Sequence, residues 1–429
     1  MSQLLLTWYG DDFTGSTDVL EALTVNGVPA VLFLAPPAPE DLARFPECRD
    51  AGVAGISRAQ SPAWMDEHLP PVFAALAALG APFVHYKTCS TFDSAPHVGS
   101  IGRAIELGRQ TLGNRPVPLV VGAPALRRYV CFGNLFATVD GETFRIDRHP
   151  TMSRHPVTPM DEGDLRRHLA RQTSLPIALV DLLALQSGRA ALPPAEIVLI
   201  DTLDAATLRE AGRLIWESRA DAHSFLAGSS GIEYALLAWW AEQGLLPPKP
   251  VIPDAGAADR LLVVSGSCSP GTARQIGWAA ANGFTPIAAD PGALLAGEAE
   301  SMRLFSAAMA VLAAGGSPVV YTAAGPGDVR PDTPGNALGE RLGALANALA
   351  RASGVRRILI AGGDTSGHAG RALSIQALTV VRPFAPGSPL CRIWSRDAAV
   401  DGREIMLKGG QVGGDTLFGD VRAGRPATP

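Results

Sequence analysis

Polar residues suited to binding a small anionic sugar follow several of the early apolar runs. Asp11 and Asp12 come directly after the first run, Arg58 follows a later one, and residues 87–94 read Lys-Thr-Cys-Ser-Thr-Phe-Asp-Ser. Carboxylates accept hydrogen bonds from hydroxyls and can accept a proton, whereas arginine and lysine bind carboxylates. This mixture of side chains predicts a site for a sugar acid.

Three glycine-containing turns in the second half of the chain suit phosphate groups. They lie in residues 263–275, 359–373 and 406–418, each after an apolar run. Helix N-termini expose free N–H groups, and glycine allows close approach of a phosphate. Each turn alone is equally compatible with a purely structural role, but together they predict a nucleotide site. Neither GxxxxGK[ST] nor GxGxxG is present, which disfavours a P-loop ATPase and an ordinary NAD enzyme.

The elements that must position these segments are strands and helices in alternation. Apolar runs of strand length precede the polar segments and are separated by stretches of helical length. Such alternation is typical of βαβ units, so we expect an α/β protein with mostly parallel sheets flanked by helices. Ligands of open parallel sheets bind at the carboxyl ends of the strands, where these segments lie.

Two domains are predicted, because 429 residues exceed an ordinary single domain. Residues 244–260 carry four prolines without an amphipathic period and predict a linker between domains at 1–243 and 261–429. Residues 127–160 are rich in aromatic and turn-forming residues. We interpret them as a small β insertion or flap in the first domain.

Composition and charge exclude several kinds of partner. A net charge of −5 offers no basic surface for nucleic acid or anionic lipid. The five cysteines are scattered without ligand spacing, which indicates reduced thiols and no structural zinc. The N-terminus lacks the basic region of a secretory signal, and no apolar run reaches the length of a membrane span. We expect a cytoplasmic enzyme; a homo-oligomer remains open.

The segments DDFTGSTD, YKTCSTFDS, LAGSSG, SGSCSPGTARQ, AGGDTSG and LKGGQVGG, in this order, resemble the four-carbon acid sugar kinases. The resemblance runs from residue 4 to about 420, and its specificity lies in the combination of segments. It implies an N-terminal sugar-acid-binding domain, a C-terminal ATP-binding domain and an active site in the cleft between them. It also implies phosphorylation of a primary hydroxyl with ATP and Mg²⁺ in carbohydrate catabolism.

The resemblance also implies site residues. The expected sugar-acid contacts are Asp11, Asp12, Arg58, Lys87, Cys89, Ser90, Thr91 and Asp93. The expected ATP contacts are Ser265, Ser267, Gly362, Gly363, Asp364, Thr365, Gly409, Gly410 and Gly413. Either Asp12 or Asp364 is expected to accept the proton of the attacking hydroxyl, and Asp364 could instead orient magnesium through water. The metal ligands themselves are not predicted.

Residues 87–94 depart from the family pattern Lys-x-Asp-Ser-Thr-x-Arg-Gly. Cysteine replaces the acid, the arginine is missing and an acid, Asp93, is gained. These changes alter the polarity of the substrate that can be bound, so a tetronate kinase is the main expectation and a 3-oxo-isoapionate kinase the alternative. Two structural readings stay open: one paired aspartate caps a helix, and Asp93 caps a helix starting near His97.

Two functions other than a kinase are also compatible with these sequence features. A dehydrogenase would also combine a sugar-acid pocket with an α/β nucleotide domain, although the dinucleotide fingerprint is missing. A non-catalytic ligand-binding or regulatory protein could retain the same two domains. Titration with MgATP and with NAD distinguishes the three.

Overall fold

The structure is a computed structural model that describes residues 4–113, 115–139, 141–219, 223–328 and 335–426. The chain divides into two compact units, Met1–Val31 with Ala35–Pro250 and Leu32–Leu34 with Val251–Pro429. The division after Pro250 falls inside the predicted linker 244–260. Within the described ranges, no helix is both long and apolar enough to span a lipid bilayer.

The first unit alternates strands and helices. Its strands are β1 (Leu6–Gly10), β2 (Ala30–Phe33), β3 (Asp50–Ala54), β4 (Phe83–Lys87), β5 (Val117–Val120), β6 (Arg128–Cys131), β7 (Asn134–Val139), β8 (Glu142–Arg145), β9 (Ile177–Val180), β10 (Ile197–Ile200) and β11 (Ser224–Gly228). Its helices are α1 (Phe13–Val25), α2 (Pro39–Leu42), α3 (Pro62–Ala78), α4 (Ile101–Leu112), α5 (Leu165–Leu169), α6 (Leu182–Gln186), α7 (Ala205–Glu217) and α8 (Gly231–Glu242).

The main sheet of the first unit has the strand order β2-β3-β1-β4-β11-β5-β10-β9. Every pair from β3 to β9 is parallel. All residues of β1, β4 and β11 are buried, which is expected for central strands covered by helices on both faces. The loops after β1, β3 and β4 therefore lie along one edge of the sheet, and they carry the predicted sugar-acid residues.

A small antiparallel sheet lies within residues 127–160, the predicted insertion or flap. It has the order β6-β7-β8. Asp201, just after β10, accepts hydrogen bonds from the amides of Phe132 and Gly133 at 2.6 and 2.9 Å and so attaches the β6–β7 turn to the main sheet.

The second unit is also built from strands and helices in alternation. Its strands are β12 (Leu261–Ser265), β13 (Phe284–Ala288), β14 (Ser317–Tyr321), β15 (Arg357–Ala361), β16 (Ala377–Ala385), β17 (Ser388–Trp394) and β18 (Glu404–Lys408). Its helices are α9 (Pro270–Ala281), α10 (Pro291–Ala296), α11 (Glu298–Ala313), α12 (Gly335–Ser353), α13 (Gly363–Ala372) and α14 (Leu417–Ala423).

The sheet of the second unit has the order β13-β14-β12-β15-β18-β17-β16. The pairs from β13 to β18 are parallel, whereas β16 and β17 are antiparallel. The predicted α/β class is confirmed. The antiparallel pair was not predicted, and it makes this sheet mixed.

Candidate active site

The Arg58 cluster (Asp11, Asp12 and Arg58) lies at the carboxyl end of β1. The Arg58 guanidinium donates from Nε and Nη2 to the two Asp11 oxygens at 3.1 and 2.8 Å, and from Nη1 to Asp12 Oδ2 at 2.9 Å. The main chain fixes this geometry, because Arg58 N donates to Asp11 O at 3.0 Å. Burial raises the pKa of Asp11, and the Arg58 charge opposes that shift.

Asp12 has a second task at the start of α1. Its Oδ1 accepts the amide of Gly15 at 2.7 Å, and its Oδ2 accepts the Thr14 hydroxyl at 2.9 Å. Helix capping thus accounts for Asp12, as one reading of the aspartate pair expected, and the bidentate ion pair accounts for Asp11.

Lys87 is the last residue of β4 and lies against the first turns of α1. Its side chain is 2% exposed, and its Nζ is 3.4 Å from Asp18 Oδ2. A Cβ on Gly15 would lie 3.1 Å from Lys87 Nζ and 2.4 Å from Asp12 Oδ1, so glycine leaves room for both groups. Burial alone lowers the pKa of Lys87, but the carboxylates of Asp18, Asp11 and Asp12 outweigh burial and raise it.

The loop after β4 orders Asp93 through hydroxyl groups. Asp93 accepts Thr91 Oγ1 at 2.5 Å and Thr158 Oγ1 at 3.2 Å. The alternative that Asp93 caps a helix near His97 is wrong, since the next helix, α4, is capped by Ser100. Burial raises the pKa of Asp93, but the charge of Arg58 and the Thr91 hydrogen bond outweigh burial and lower it. Asp93 is therefore a carboxylate at neutral pH.

Two further predicted contacts lie in the same loop. Cys89 Sγ lies 2.9 Å from Thr91 Oγ1, whose single proton is donated to Asp93, and burial raises the pKa of the thiol. Ser90 is half-buried, and its hydroxyl has no hydrogen-bond partner among the described residues. The loop after β4 therefore presents a hydroxyl group and a thiol group in addition to the Asp93 carboxylate.

Sequence reasoning missed Thr158 and Arg128 of the segment 127–160. Arg128 Nη1 donates to the carbonyls of Leu126, Arg127 and Thr138, and among the described residues it has no carboxylate partner. Burial lowers the pKa of Arg128, while the nearby Cys89 opposes the shift. No spacing pattern signals either residue, because both reach the β4 loop from a distant part of the chain.

The nucleotide loops (265–269, 362–365 and 409–413) follow β12, β15 and β18, which are neighbours in the sheet of the second unit. The amide of Gly362 donates to Lys408 O at 2.9 Å, and a Cβ on Gly362 would lie 3.3 Å from Ser267 N. A Cβ on Gly410 would lie 2.7 Å from Ser267 Oγ. The structure therefore brings the three predicted phosphate turns together.

The loop 362–365 opens α13 without a side-chain cap. Gly362 has a φ of 116°, which favours glycine, whereas Gly363 is exposed with open space around its Cα. The free amides of this first turn suit a phosphate oxygen. Thr365 is buried, and its Oγ1 would be 2.2 Å from a Cβ on Gly266, so this hydroxyl fills the space beside the first loop.

Side chains of the 265–269 loop and α9 hold the third loop in place. Ser269, the N-cap of α9, donates to Gly410 O, and Thr272 Oγ1 donates to the same carbonyl at 2.9 Å. Gln275 Nε2 donates to the carbonyls of residues 412, 413 and 414 at 3.0, 3.0 and 3.1 Å. Gly413 has a φ of 86°, which only glycine adopts readily.

Ser265 and Ser267 line the first loop, and an exposed cysteine lies beside them. Ser265 ends β12 fully buried, and its Oγ accepts the amide of Ser267 at 3.3 Å. Cys268 is exposed, whereas Cys48 and Cys391 are buried and the remaining two cysteines are half-buried.

Sequence reasoning also missed Lys408, although it directly precedes the predicted Gly409 and Gly410. Its side chain is fully buried, and its Nζ donates to Thr272 Oγ1 at 3.0 Å and to Gly410 O at 3.4 Å. A lysine at the end of a strand that leads into a glycine turn was the available signal.

No ready-made metal cage is found in the described ranges, where no three His, Cys, Asp or Glu side chains converge. Asp364 is exposed in the first turn of α13, and its carboxylate has no hydrogen-bond partner among the described residues. A single carboxylate beside the uncapped amides at the start of α13 fits Mg²⁺, which usually keeps several waters and binds through substrate phosphates.

Comparison with known families assigns both halves of the chain. Residues 6–236 match the sugar-binding N-terminal domain family, and residues 262–418 match the nucleotide-binding C-terminal domain family. The chain belongs to the four-carbon acid sugar kinase family. It is thus a kinase that combines a sugar-binding and a nucleotide-binding domain.

Full-length relatives share this arrangement. The kinase is 52% identical to a 3-oxo-isoapionate kinase of Paraburkholderia graminis, over 99% of the chain and 95% of that protein. It is 31% identical to a 3-oxo-tetronate kinase of Methylobacterium radiotolerans, over 97% of the chain and 98% of that protein. The expected family is confirmed.

Solved structures share the fold at low sequence identity. A protein of Salmonella typhimurium LT2 superposes with a TM-score of 0.78 at 22% identity, with 99% of both chains covered. A Haemophilus influenzae protein gives a TM-score of 0.69 at 20% identity, with 96% of this chain and 98% of that chain covered.

Proposed function

We propose that this kinase phosphorylates a primary hydroxyl of 3-oxo-isoapionate, with ATP as the phosphoryl donor. The observation that carries the proposal is the 52% identity, over 99% of the chain, to the 3-oxo-isoapionate kinase of Paraburkholderia graminis. The expectation of a plain tetronate as substrate becomes the second candidate, supported by the 31% identity to a 3-oxo-tetronate kinase.

The Arg58 cluster and Lys87 are proposed to bind the acid end of the substrate. Arg58 retains one N–H on Nη1 and one on Nη2 beyond its bonds to the aspartates, and its side chain is 26% exposed. A planar guanidinium with two free donors suits a carboxylate. Lys87 adds a second positive charge beside the same turn.

The hydroxyl and oxo groups of the substrate are proposed to face the loop after β4. Ser90 offers a free hydroxyl, and Thr91 and Cys89 lie beside it. The ionised Asp93 can accept hydrogen bonds from a hydroxyl or from a hydrated ketone but repels a second carboxylate. This preference supports a branched oxo acid over a dicarboxylate.

Phosphoryl transfer needs a base for the hydroxyl proton and an ATP molecule whose γ-phosphate is held in place. The substrate oxygen forms a bond to the γ-phosphorus, the bond from that phosphorus to the β–γ bridging oxygen breaks, and ADP leaves. The hydroxyl proton passes to a carboxylate, for which Asp12 is the first candidate and Asp364 the second. Asp12 is preferred because it lies in the domain that matches the sugar-binding family.

The nucleotide loops are proposed to hold the phosphates of ATP. The amides of Gly363 and Asp364 at the uncapped start of α13, the Ser267 hydroxyl and the 409–413 loop supply donors. Asp364 would hold Mg²⁺, which neutralises phosphate charge when it is bound. The position of the active site in a cleft and the cytoplasmic location stay predictions.

A coupled ADP-release assay tests the proposal. The assay compares kcat/KM for 3-oxo-isoapionate, the 3-oxo-tetronates, threonate and erythronate at equal ATP. We expect the highest value for 3-oxo-isoapionate. A higher value for any tetronate would transfer the assignment to that acid. If no tested acid causes ADP release, this substrate class is refuted.

A further inference from the structure

Lys408 is a buried cation without a counter-charge. Its side chain is fully buried at the end of β18, and its hydrogen-bond acceptors, Thr272 Oγ1 and Gly410 O, are neutral. No carboxylate lies within ion-pair distance among the residues that the structure describes. Arg357, which is also fully buried among the described residues of this unit, is paired with Glu404.

An ammonium group in this position is energetically costly. Removing a charge from water without a compensating charge is unfavourable, so such groups tend to lose their proton. Burial accordingly lowers the pKa of Lys408 to about 8. At neutral pH the lysine is therefore mostly protonated but is poised to respond to any charge that arrives nearby.

The position of Lys408 connects it to all three nucleotide loops. Its carbonyl accepts the amide of Gly362 at 2.9 Å, at the start of the second loop. Its Nζ shares the carbonyl of Gly410, in the third loop, with Ser269 and Thr272 from the first loop and α9. The charge thus lies beneath the place where the proposed phosphates bind.

We propose that the phosphates of the bound nucleotide are the missing counter-charge of Lys408. Lys408 is a positioning residue: it acts through Gly410 and Thr272 on the shape of the third loop, and through its field on the phosphates. This inference rests on the proposed binding of ATP at the nucleotide loops. A purely structural lysine would make the same hydrogen bonds, but its protonation would not respond to the nucleotide.

The decisive measurement is the number of protons that the protein takes up when MgATP binds. Phosphate binding stabilises the charged lysine, so its pKa rises and the protein takes up a proton. Calorimetric titration of the full-length protein with MgATP at pH 8.5, in buffers of different ionisation enthalpy, should show uptake of roughly half a proton. Uptake should be much smaller at pH 7, where Lys408 is already charged, and absent with adenosine, which has no phosphate.

Two variants separate the lysine from its surroundings. Lys408→Met should abolish the uptake and weaken MgATP binding roughly tenfold, while adenosine affinity changes little. Arg356→Met is the control, because it removes an exposed cation that already pairs with Glu404 at 2.6 Å and directly precedes β15, at the strand end opposite to the nucleotide loops. The control should leave both the uptake and the affinity unchanged.

The outcomes are distinguishable. Normal MgATP binding without proton uptake in the parent protein overturns the inference but leaves the proposed function intact. Failure of the parent protein to bind MgATP overturns the proposed function itself. If Lys408→Met does not fold, the comparison of MgATP with adenosine in the parent protein still decides.

Discussion

Arg58 pairs with two carboxylates that have different surroundings. Asp11 is buried and accepts two guanidinium hydrogen bonds, whereas Asp12 accepts one guanidinium hydrogen bond and also caps α1 through the amide of Gly15. The more exposed Asp12, with 23% of its side chain accessible, is the better placed to meet a ligand.

We expect Asp12→Asn to lower kcat far more than it weakens ATP binding. Asparagine still caps α1, so the fold is retained, but it cannot accept the hydroxyl proton. Loss of a general base typically costs roughly 10²–10⁴-fold. Steady-state kinetics and MgATP titration measure the two effects.

A matched variant controls for the loss of a capping carboxylate. Asp204 caps α7 in the same way, accepting the amide of Thr207 at 2.9 Å, and it follows β10, which is four strands from β1 in the sheet order. Asp204→Asn should leave kcat unchanged. If Asp12→Asn lowers kcat by less than about threefold, Asp364 is instead indicated as the base.

Asp93 is expected to determine substrate choice. Asp93→Ala should reduce the preference for 3-oxo-isoapionate over a 3-oxo-tetronate by roughly tenfold, because a lost hydrogen bond to a buried charged group costs about 1–3 kcal/mol. Asp93→Asn retains an acceptor for Thr91 and should give a smaller change. An identical ranking of substrates in the parent protein and both variants would remove Asp93 from the substrate site.

Residue types and strand ends predict that Asp11, Asp12 and Arg58 lie close together, and their hydrogen bonds show that they do. The sequence shows that Asp11, Asp12 and Arg58 follow strands, and parallel strands bring their carboxyl ends together. It does not show that Thr158 reaches Asp93, because that contact spans 65 residues and depends on the path of an irregular segment. The strand-end position of Lys408 is visible in the sequence, but its burial without a nearby carboxylate is a property of the fold.

At the scale of elements, the nucleotide loops differ in how much space each glycine leaves. Gly413 is constrained by its positive φ and by Leu417, whose Cδ2 would be 2.6 Å from an added Cβ. Gly363 has nothing within 4 Å of an added Cβ. A side chain at Gly363 would therefore disturb a ligand rather than the protein.

We expect Gly363→Val to fold normally and to lose MgATP affinity by at least tenfold. The branched side chain would occupy the space above the free amides of α13, where we place a phosphate oxygen. Gly277→Val is the control, since Gly277 is also helical, exposed and without neighbours within 4 Å. Equal ATP affinity in the parent protein and Gly363→Val, with both folded, would show that the loop is misassigned.

Several strands of the second unit contain a proline that weakens their strand pattern in the sequence. β13 includes Pro286, β16 includes Pro383 and β17 includes Pro389. Proline in an apolar run argues against a central strand, and β13 indeed lies at the edge of the sheet order. A register shift between Val380 and Arg382 further interrupts the period-two pattern of β16.

At the scale of the whole molecule, each unit has a hydrophobic core of its own. Phe73 belongs to the core of the first unit and has its ring centroid 5.0 Å from that of Phe225. Phe418 belongs to the core of the second unit, next to the end of the 409–416 segment. Length and the proline-rich segment predict two domains, but no feature of the sequence indicates that Leu32–Leu34 group with the second unit.

We expect truncation of the two cores to affect nucleotide binding differently. Phe73→Ala and Phe418→Ala should each lower the free energy of unfolding by about 3–5 kcal/mol. At a temperature where both variants remain folded, Phe73→Ala should bind MgATP like the parent protein, whereas Phe418→Ala should bind it more weakly. Calorimetric melting and MgATP titration measure the two quantities, and equal loss of affinity would contradict the independence of the cores.

The exposed Cys268 makes the first nucleotide loop chemically accessible. Burial raises the pKa of Cys48 to about 12 and also raises the pKa of Cys89 and Cys131, so these thiols react slowly near neutral pH. Cys391 is buried. A maleimide dye should consequently label Cys268 first and report nucleotide arrival by fluorescence without any engineered cysteine, and MgATP should in turn shield this thiol from the reagent.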